Sequence, residues 1–236
     1  MNNKVVWVTG ASTGIGKEIA TAFSRAGYIV VVTGRRKSRL VNLAGEIKFA
    51  GREASAFVCN VASERSVQST TKRILEKYGR IDCLVNNAGV TVFKSVLETK
   101  VSDYDYVMDI NLRGAFLCMK SVRKKMIKLK RGHIINILSV AANTVLDNSS
   151  IYACSKAGLM ALANSARKEV RKYNIKITNI LPGAVETAMW DSKTRQKYKN
   201  RMMNPEDVAA IALKVFEMPK KVMIEDVVMR PLKGDL

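Results

Sequence analysis

Short runs rich in β-branched residues alternate with segments of helical period from one end of this chain to the other. The runs span residues 4–9, 29–33, 54–58, 81–86, 133–140, 176–181 and 222–229, and helical patterns fill the gaps. Strands joined through helices lie parallel, because each crossover returns the chain to the same end of the sheet, and helices then cover both faces. The expected fold is α/β: a single doubly wound domain over residues 1–236, with a parallel sheet between two helical layers. No repeat, low-complexity tract or linker divides it, and Pro182, Pro205, Pro219 and Pro231 all fall near proposed element boundaries. A length of 236 residues with 47% hydrophobic content suits one full core.

The first run ends in Thr9-Gly10-Ala11-Ser12-Thr13-Gly14-Ile15-Gly16, and Ile19, Ala20, Phe23 and Ala26 then repeat at helical spacing. Strand, tight turn and helix in that order hold a pyrophosphate: glycines let backbone N–H groups approach the phosphates, and the helix start adds the positive end of its dipole. Gly10, Ser12, Thr13, Gly14, Ile15 and Gly16 are accordingly candidate ligands of a dinucleotide. Residues 10–14 also satisfy G-x-S-x-G, the nucleophile elbow of hydrolases. That elbow draws an oxyanion donor from an upstream strand-to-helix loop, which the nine residues before Gly10 do not provide.

Several classes are excluded by what the chain lacks. No stretch approaches about eighteen uninterrupted apolar residues, so no membrane span is expected, and the N-terminus enters a strand without the features of a signal peptide. A cytoplasmic location is the expectation. Cys59, Cys83, Cys118 and Cys154 are widely spaced and read as reduced thiols; His133 is the single histidine, which excludes motifs needing two. No metal site is expected, and His133 reads as a packing residue at a strand start.

Redox chemistry is suggested further along. Ser139 sits at the end of an apolar run, and Tyr152, thirteen residues later, begins a helix that carries Lys156 one turn on. Tyr-x-x-x-Lys alone is unspecific, since 7 tyrosines and a lysine frequency near one tenth predict about one chance match. Its placement carries the information, because Ser139 and Tyr152 then face one crevice. Tyrosine titrates near about 10, and an ammonium about 4 Å away favours the phenolate by about 4 kcal/mol at an effective dielectric near 20, about three pKa units before burial opposes it. Tyr152 is expected to move a proton to or from a substrate oxygen that the Ser139 hydroxyl also bonds.

Taken together, the glycine turn, Asn86-Asn87-Ala88-Gly89 at the end of the fourth run, Asn111 within a helix, Ser139, Tyr152, Lys156, Pro182, Gly183 and Thr187 resemble the short-chain dehydrogenase/reductase family over almost the whole chain. The resemblance implies a seven-stranded Rossmann-type sheet with the site outside the carboxyl ends of the strands. It implies hydride transfer at a nicotinamide dinucleotide bound by the glycine turn, Asn60, Val61, Asn87, Ala88, Gly89, Tyr152, Lys156, Pro182, Gly183, Val185 and Thr187. Lys156 would hold the nicotinamide ribose and Asn111 a water in the proton relay. Residues 184–204 would form the substrate-covering loop, and helices near 111–130 and 152–173 would pair subunits in a homodimer or homotetramer. Three positions depart from the family's pattern: Asn60 stands where an acidic residue is common, Leu138 where a second serine is frequent, and Asn143 lies in the next loop. Cys154 points away from the face that carries Tyr152 and Lys156.

Cofactor choice follows from the end of the second run. An acidic residue there would bind a ribose 2′-hydroxyl, but Thr33-Gly34-Arg35-Arg36 offers cations instead, so NADP(H) is expected, with Arg35 as the main 2′-phosphate ligand and Arg36 or Lys37 assisting. The chain carries a formal +20, which favours anionic ligands without naming one. The cluster from Arg123 to Arg131 reads as a solvated helix end that could also meet an acyl carrier protein. The stretch from Lys193 to Arg201 reads as a mobile, solvated loop whose basic residues would tolerate an acidic substrate. Met189 and Trp190 suggest an apolar or aromatic carbonyl compound. The expected activity is NADPH-dependent reduction of a small-molecule carbonyl, ketone or aldehyde, diketone or 3-oxoacyl, to an alcohol. The alternatives are a non-catalytic NADP-binding regulator and a polyanion- or nucleic-acid-binding protein; the latter lacks any recognition motif or aromatic-basic platform.

Overall fold

A computed structural model describes residues 3–234. The strands are β1 (Val5–Val8), β2 (Ile29–Gly34), β3 (Ala54–Val58), β4 (Cys83–Asn86), β5 (Gly132–Ile137), β6 (Ile175–Pro182) and β7 (Asp226–Met229). The helices are α1 (Gly14–Arg25), α2 (Lys37–Phe49), α3 (Glu64–Tyr78), α4 (Val101–Met108), α5 (Gly114–Leu129), α6 (Ser150–Val170), α7 (Ser192–Tyr198) and α8 (Pro205–Glu217). All strands are parallel, in the order β3-β2-β1-β4-β5-β6-β7. The order reverses beside β1, the topological switch point outside which open α/β sheets bind their ligands.

The pleat sorts the core into two layers. Val6, Val8, Val30, Val32, Val85 and Ile135 face α1, α2 and α8 through Ile19, Phe23, Leu40 and Val208. Val5, Trp7, Val31, Leu84, Ile134 and Ile177 face α3, α5 and α6 through Val67, Ile74, Val122, Met126 and Leu159. Burial on both faces explains why the runs are continuously apolar rather than alternating.

A polar ladder crosses this apolar sheet. Asn86, Asn136, Asn179 and Asp226 share one register line over β4, β5, β6 and β7. Asn86 donates to Asn136 (3.0 Å), Asn136 to Asn179 (3.0 Å) and Asn179 to Asp226 (2.8 Å). Buried Arg167 closes the line by donating to Asp226 at 3.1 Å and to the Glu225 carbonyl at 2.8 Å.

Several expected boundaries move for local reasons. The fifth run stops at Ile137 because Ser139 caps a short 3-10 turn, Val140–Ala142, accepting from the Ala141 N–H at 3.2 Å. The seventh begins at Asp226 rather than at residue 222: the Ile224 and Glu225 carbonyls accept from Thr178 Oγ1 and Arg167 as the chain approaches β6. The basic stretch read as a loop is helical, since the Asp191 carboxylate accepts from the N–H groups of Lys193 and Thr194 and starts α7. Among the described residues no helix is long and apolar enough to cross a membrane, and no group of three or more His, Cys, Asp or Glu residues could hold a metal ion.

Candidate active site

The turn after β1 is held by the end of β4. Thr9 Oγ1 donates to the Val85 carbonyl and accepts from the N–H groups of Asn87 and Ala88 at 3.0 and 3.1 Å. Asn87 Nδ2 donates back to the Thr9 and Gly10 carbonyls. A Cβ on Gly10 would lie 2.7 Å from Ala88 Cα, and one on Gly16 would lie 2.6 Å from the Gly10 carbonyl oxygen, so both positions require glycine for close approach. Gly10 and Gly14 also take positive φ, 65° and 56°.

The start of α1 has the donor set an anion needs. Its cap, Thr13, makes no side-chain cap bond, and its first turn holds no acidic residue, whereas Ser63 and Asp191 accept from the starts of α3 and α7. Arg36 lies against the turn instead, donating to Ser12 Oγ at 2.7 Å and Thr13 Oγ1 at 2.8 Å. Burial, Arg39 and Arg35 lower its guanidinium from the usual arginine value, and no ion pair among the described residues neutralises any of the three. Unpaired N–H groups beside a cluster of uncompensated cations fit a phosphorylated nucleotide. Arg35, expected as the main ligand, turns the other way toward the Tyr106 hydroxyl on α4 (3.5 Å). The parity of β2 explains the difference: even-numbered Val30 and Val32 face α1, so Arg36 continues on the α1 side and Arg35 does not.

Across β1, the chain from α4 to α5 is interrupted by a π-helical turn, Asp109–Arg113, that turns buried Asn111 inward. Its Oδ1 accepts from the Val90 N–H, and its Nδ2 donates to the Val90 carbonyl and to Ser155 Oγ at 2.8 and 3.0 Å. Ser155 Oγ donates in turn to the Tyr152 carbonyl at 2.7 Å. Ser155, which the sequence reading did not single out although it stands between Tyr152 and Lys156, thus ties Asn111 to the helix turn that carries Tyr152. Lys156 is buried and donates to the Ile137 carbonyl at the end of β5 (2.9 Å). A Cβ on Gly89 would lie 3.5 Å from both Lys156 Nζ and Asn111 Oδ1, so the Asn86–Gly89 turn fits between them.

Tyr152 corrects one expectation. Burial pushes its phenol up to about 12, with the Ser139 hydroxyl acting in the opposite sense. The ammonium of Lys156 is expected to draw it downward, but Nζ bonds the Ile137 carbonyl and lies 5.6 Å from the centre of the tyrosine ring, and burial prevails. Burial also lowers Lys156 itself to about 8. At neutral pH the site therefore presents a protonated phenol beside a mostly charged lysine.

The remaining candidates frame the crevice. Pro182 ends β6, and Gly183 donates to the Met229 carbonyl at 2.7 Å. Val185 pairs with Met203, which folds residues 184–204 back on themselves and lays Thr187 against Gly14, where an added Cβ would meet its methyl at 3.3 Å. Asn60 Oδ1 accepts from the Ala62 N–H in a local turn, and Val61 is buried against Gly114. Phe93, which no sequence signal marks, stacks on Trp190 with ring centres 5.5 Å apart and planes 17° from parallel. Cys154 is exposed, on the far side of α6 from this cluster, and His133 is a core residue bonded to Thr178.

A family profile described as short chain dehydrogenase matches residues 4–198. A sepiapterin reductase from Chlorobaculum tepidum is 36% identical over 239 aligned positions, 98% of each chain. A metagenomic short-chain oxidoreductase solved in complex with NADP superposes with a TM-score of 0.86 at 31% identity, covering 97% of both chains. An alcohol dehydrogenase from Thermococcus sibiricus, solved with 5-hydroxy-NADP, gives a TM-score of 0.91 at 26% identity, covering 99% of this chain and 98% of that one.

Proposed function

The chain belongs to the short-chain dehydrogenase family and is an oxidoreductase of that family, and on that premise we propose that it binds NADPH and reduces a small-molecule ketone or aldehyde to an alcohol. The observation that carries this reading is the convergence of Ser139, Tyr152 and Lys156 with Asn111 at the carboxyl end of β5, next to a phosphate-ready turn covered by Arg36. Gly10, Ser12, Thr13, Gly14, Ile15 and Gly16 would hold the pyrophosphate and Arg36, with Arg35, the 2′-phosphate. Asn60 and Val61 would flank the adenine, Asn87, Ala88 and Gly89 the adjoining ribose, and Pro182, Gly183, Val185 and Thr187 the nicotinamide. When bound, NADPH supplies hydride to the carbonyl carbon.

The chain's own residues supply the rest. The phenol of Tyr152, kept protonated by its burial, gives its proton to the carbonyl oxygen as charge develops there, and the Ser139 hydroxyl donates a hydrogen bond to the same atom. Lys156 would hold the nicotinamide ribose through the N–H groups left beyond its bond to the Ile137 carbonyl. Asn111 fixes the relay side of the site through Val90 and Ser155. Residues 1–236 act as one catalytic domain with 184–204 as its substrate loop, in the cytoplasm, as a homodimer or homotetramer paired through helices near 111–130 and 152–173.

The test is NADPH oxidation by the purified protein over a panel of aldehydes, ketones, diketones and 3-oxoacyl thioesters. The name of the C. tepidum relative makes sepiapterin the first compound to add. Tyr152→Phe is expected to lower kcat at least about 100-fold while NADPH still binds. Tight NADPH binding with no turnover of any panel member would instead support a non-catalytic NADP-binding regulator.

A further inference from the structure

The loops that leave β4 and β6 meet above the strand between them. β4 and β6 both neighbour β5, so a contact between their outgoing loops crosses over the carboxyl end of β5, where Ser139 stands. Phe93 comes from the first loop and Trp190 from the second, and their nearly parallel rings make that contact. The pair therefore lies on the same end of the sheet as Ser139 and Tyr152.

The two rings are held differently. Trp190 is fixed: its indole N–H donates to the Val185 carbonyl at 3.1 Å, its backbone N–H reaches the Thr187 carbonyl at 3.3 Å, and it is half-buried. Phe93 is 47% exposed. It makes no hydrogen bond that would hold it, so the stack on Trp190 is its one fixed ring contact among the described residues. Met189, beside Trp190 in the same loop, is exposed as well. Aromatic rings gain from stacked geometry beyond the area they bury, which distinguishes a flat ring from a puckered one of equal size.

We propose that Trp190 is a stacking platform for the planar ring of an aromatic or conjugated carbonyl substrate, and that Phe93 occupies the platform in the free protein as an internal stand-in for that ring. This rests on the carbonyl-reductase reading above and adds to it the substrate class. With centres 5.5 Å apart the two rings leave no room for a third between them, so the substrate ring takes the place of Phe93. Opposite consequences follow for the two aromatic residues. Removing Trp190 removes the platform; removing Phe93 removes a competitor for it.

Two diketones that differ only in the ring, 1-phenyl-1,2-propanedione and 1-cyclohexyl-1,2-propanedione, separate stacking from mere apolar bulk. Their dissociation constants are measured calorimetrically in Tyr152→Phe protein saturated with NADPH, and kcat/KM is measured in the active protein. The phenyl compound is expected to bind at least tenfold tighter than the cyclohexyl compound. In Trp190→Leu that preference falls below threefold, whereas Trp190→Phe keeps more than threefold. Phe93→Ala is expected to tighten phenyl binding. A preference below threefold before any loop substitution overturns the inference, as does its survival in Trp190→Leu or weaker phenyl binding in Phe93→Ala. Absence of turnover by the active protein while these binding preferences hold counts against the reductase reading and leaves the platform standing. Unchanged NADPH affinity in each variant confirms that the fold is intact.

Discussion

His133 should make the stability of this protein depend on pH in a way one substitution removes. Thr178 Oγ1 donates its only proton to the Ile224 carbonyl at 2.6 Å, so at its 2.8 Å contact with His133 it must accept, and the imidazole is the Nε2–H tautomer. A second proton has to enter at Nδ1, inside the core, beside the Phe216 ring and under the field of Lys176. Burial, with Lys176, lowers the imidazole from 6.5 to about 3. The unfolded chain therefore binds a proton that the folded chain refuses between those values. This stability is fully present above about pH 6.5 and is lost as pH falls toward 3. From pH 7.5 to pH 5 the loss is about 2 kcal/mol, and any folded value below about 4 gives the same result. Urea unfolding followed by circular dichroism at both pH values measures it. His133→Gln keeps a donor for Thr178 but does not titrate, and comparing the two proteins cancels the groups they share. If both lose the same stability within about 0.5 kcal/mol, the imidazole is already protonated in the fold near pH 6 and the burial argument is wrong.

Five further outcomes are expected. The kcat/KM for NADPH should fall above about pH 8 as Lys156 loses its proton, since its folded value is depressed to about 8, and a flat profile to pH 10 would contradict this. Arg36→Ala should weaken NADPH at least about tenfold and NADH about twofold or less, with Arg35→Ala the milder of the two in a fluorescence titration. Gly16→Ala drives a methyl into Asn87 Nδ2 and the Gly10 carbonyl and should abolish NADPH binding, while Gly45→Ala in α2, where an added Cβ meets nothing within 4 Å, should raise stability by up to about 1 kcal/mol in thermal unfolding. Asn136→Leu strands Asn86 Nδ2 and Asn179 Oδ1 in the core and should cost about 2–5 kcal/mol by urea unfolding; a loss under 1 kcal/mol would mean that water replaces the ladder.

The parts of this fold legible in the sequence are those set by period and by spacing. Continuous apolar runs read as doubly buried strands, and Val5–Val8, Ala54–Val58 and the glycine turn lie where the pattern puts them. Ser139, Tyr152 and Lys156 were legible together because a strand end and a helix start leave few ways to arrange them. The parts left open by the sequence depend on direction in space. Arg35 and Arg36 are neighbours of one type, and only the side on which α1 packs against the even residues of β2 decides which one reaches the turn. The sign of the Tyr152 shift depends on how deeply the fold buries the phenol, which spacing along a helix does not reveal. The π-turn at Asn111 and the Asn86-to-Asp226 ladder leave no periodic trace, since each asparagine occurs once per strand and its partner is on another.

α7 shows the same limit from the other side. Its sequence has little apolar period because it buries nothing: none of its residues is in the core, and its helix rests on the Asp191 cap rather than on a hydrophobic face. Period detects helices that pack, and capping chemistry detects those that do not. Such a helix makes few apolar contacts to hold it in place, and it is the segment that follows Trp190 directly. A helix stabilised locally can move as a unit when the Phe93–Trp190 contact opens, because its hydrogen bonds do not depend on the sheet beneath it. Asp191→Ala should therefore loosen the loop without touching the core: hydrogen exchange should speed up in residues 192–198, with the global unfolding midpoint changed by less than about 1 °C. Protection unchanged in that segment would show that tertiary packing, not the cap, holds α7.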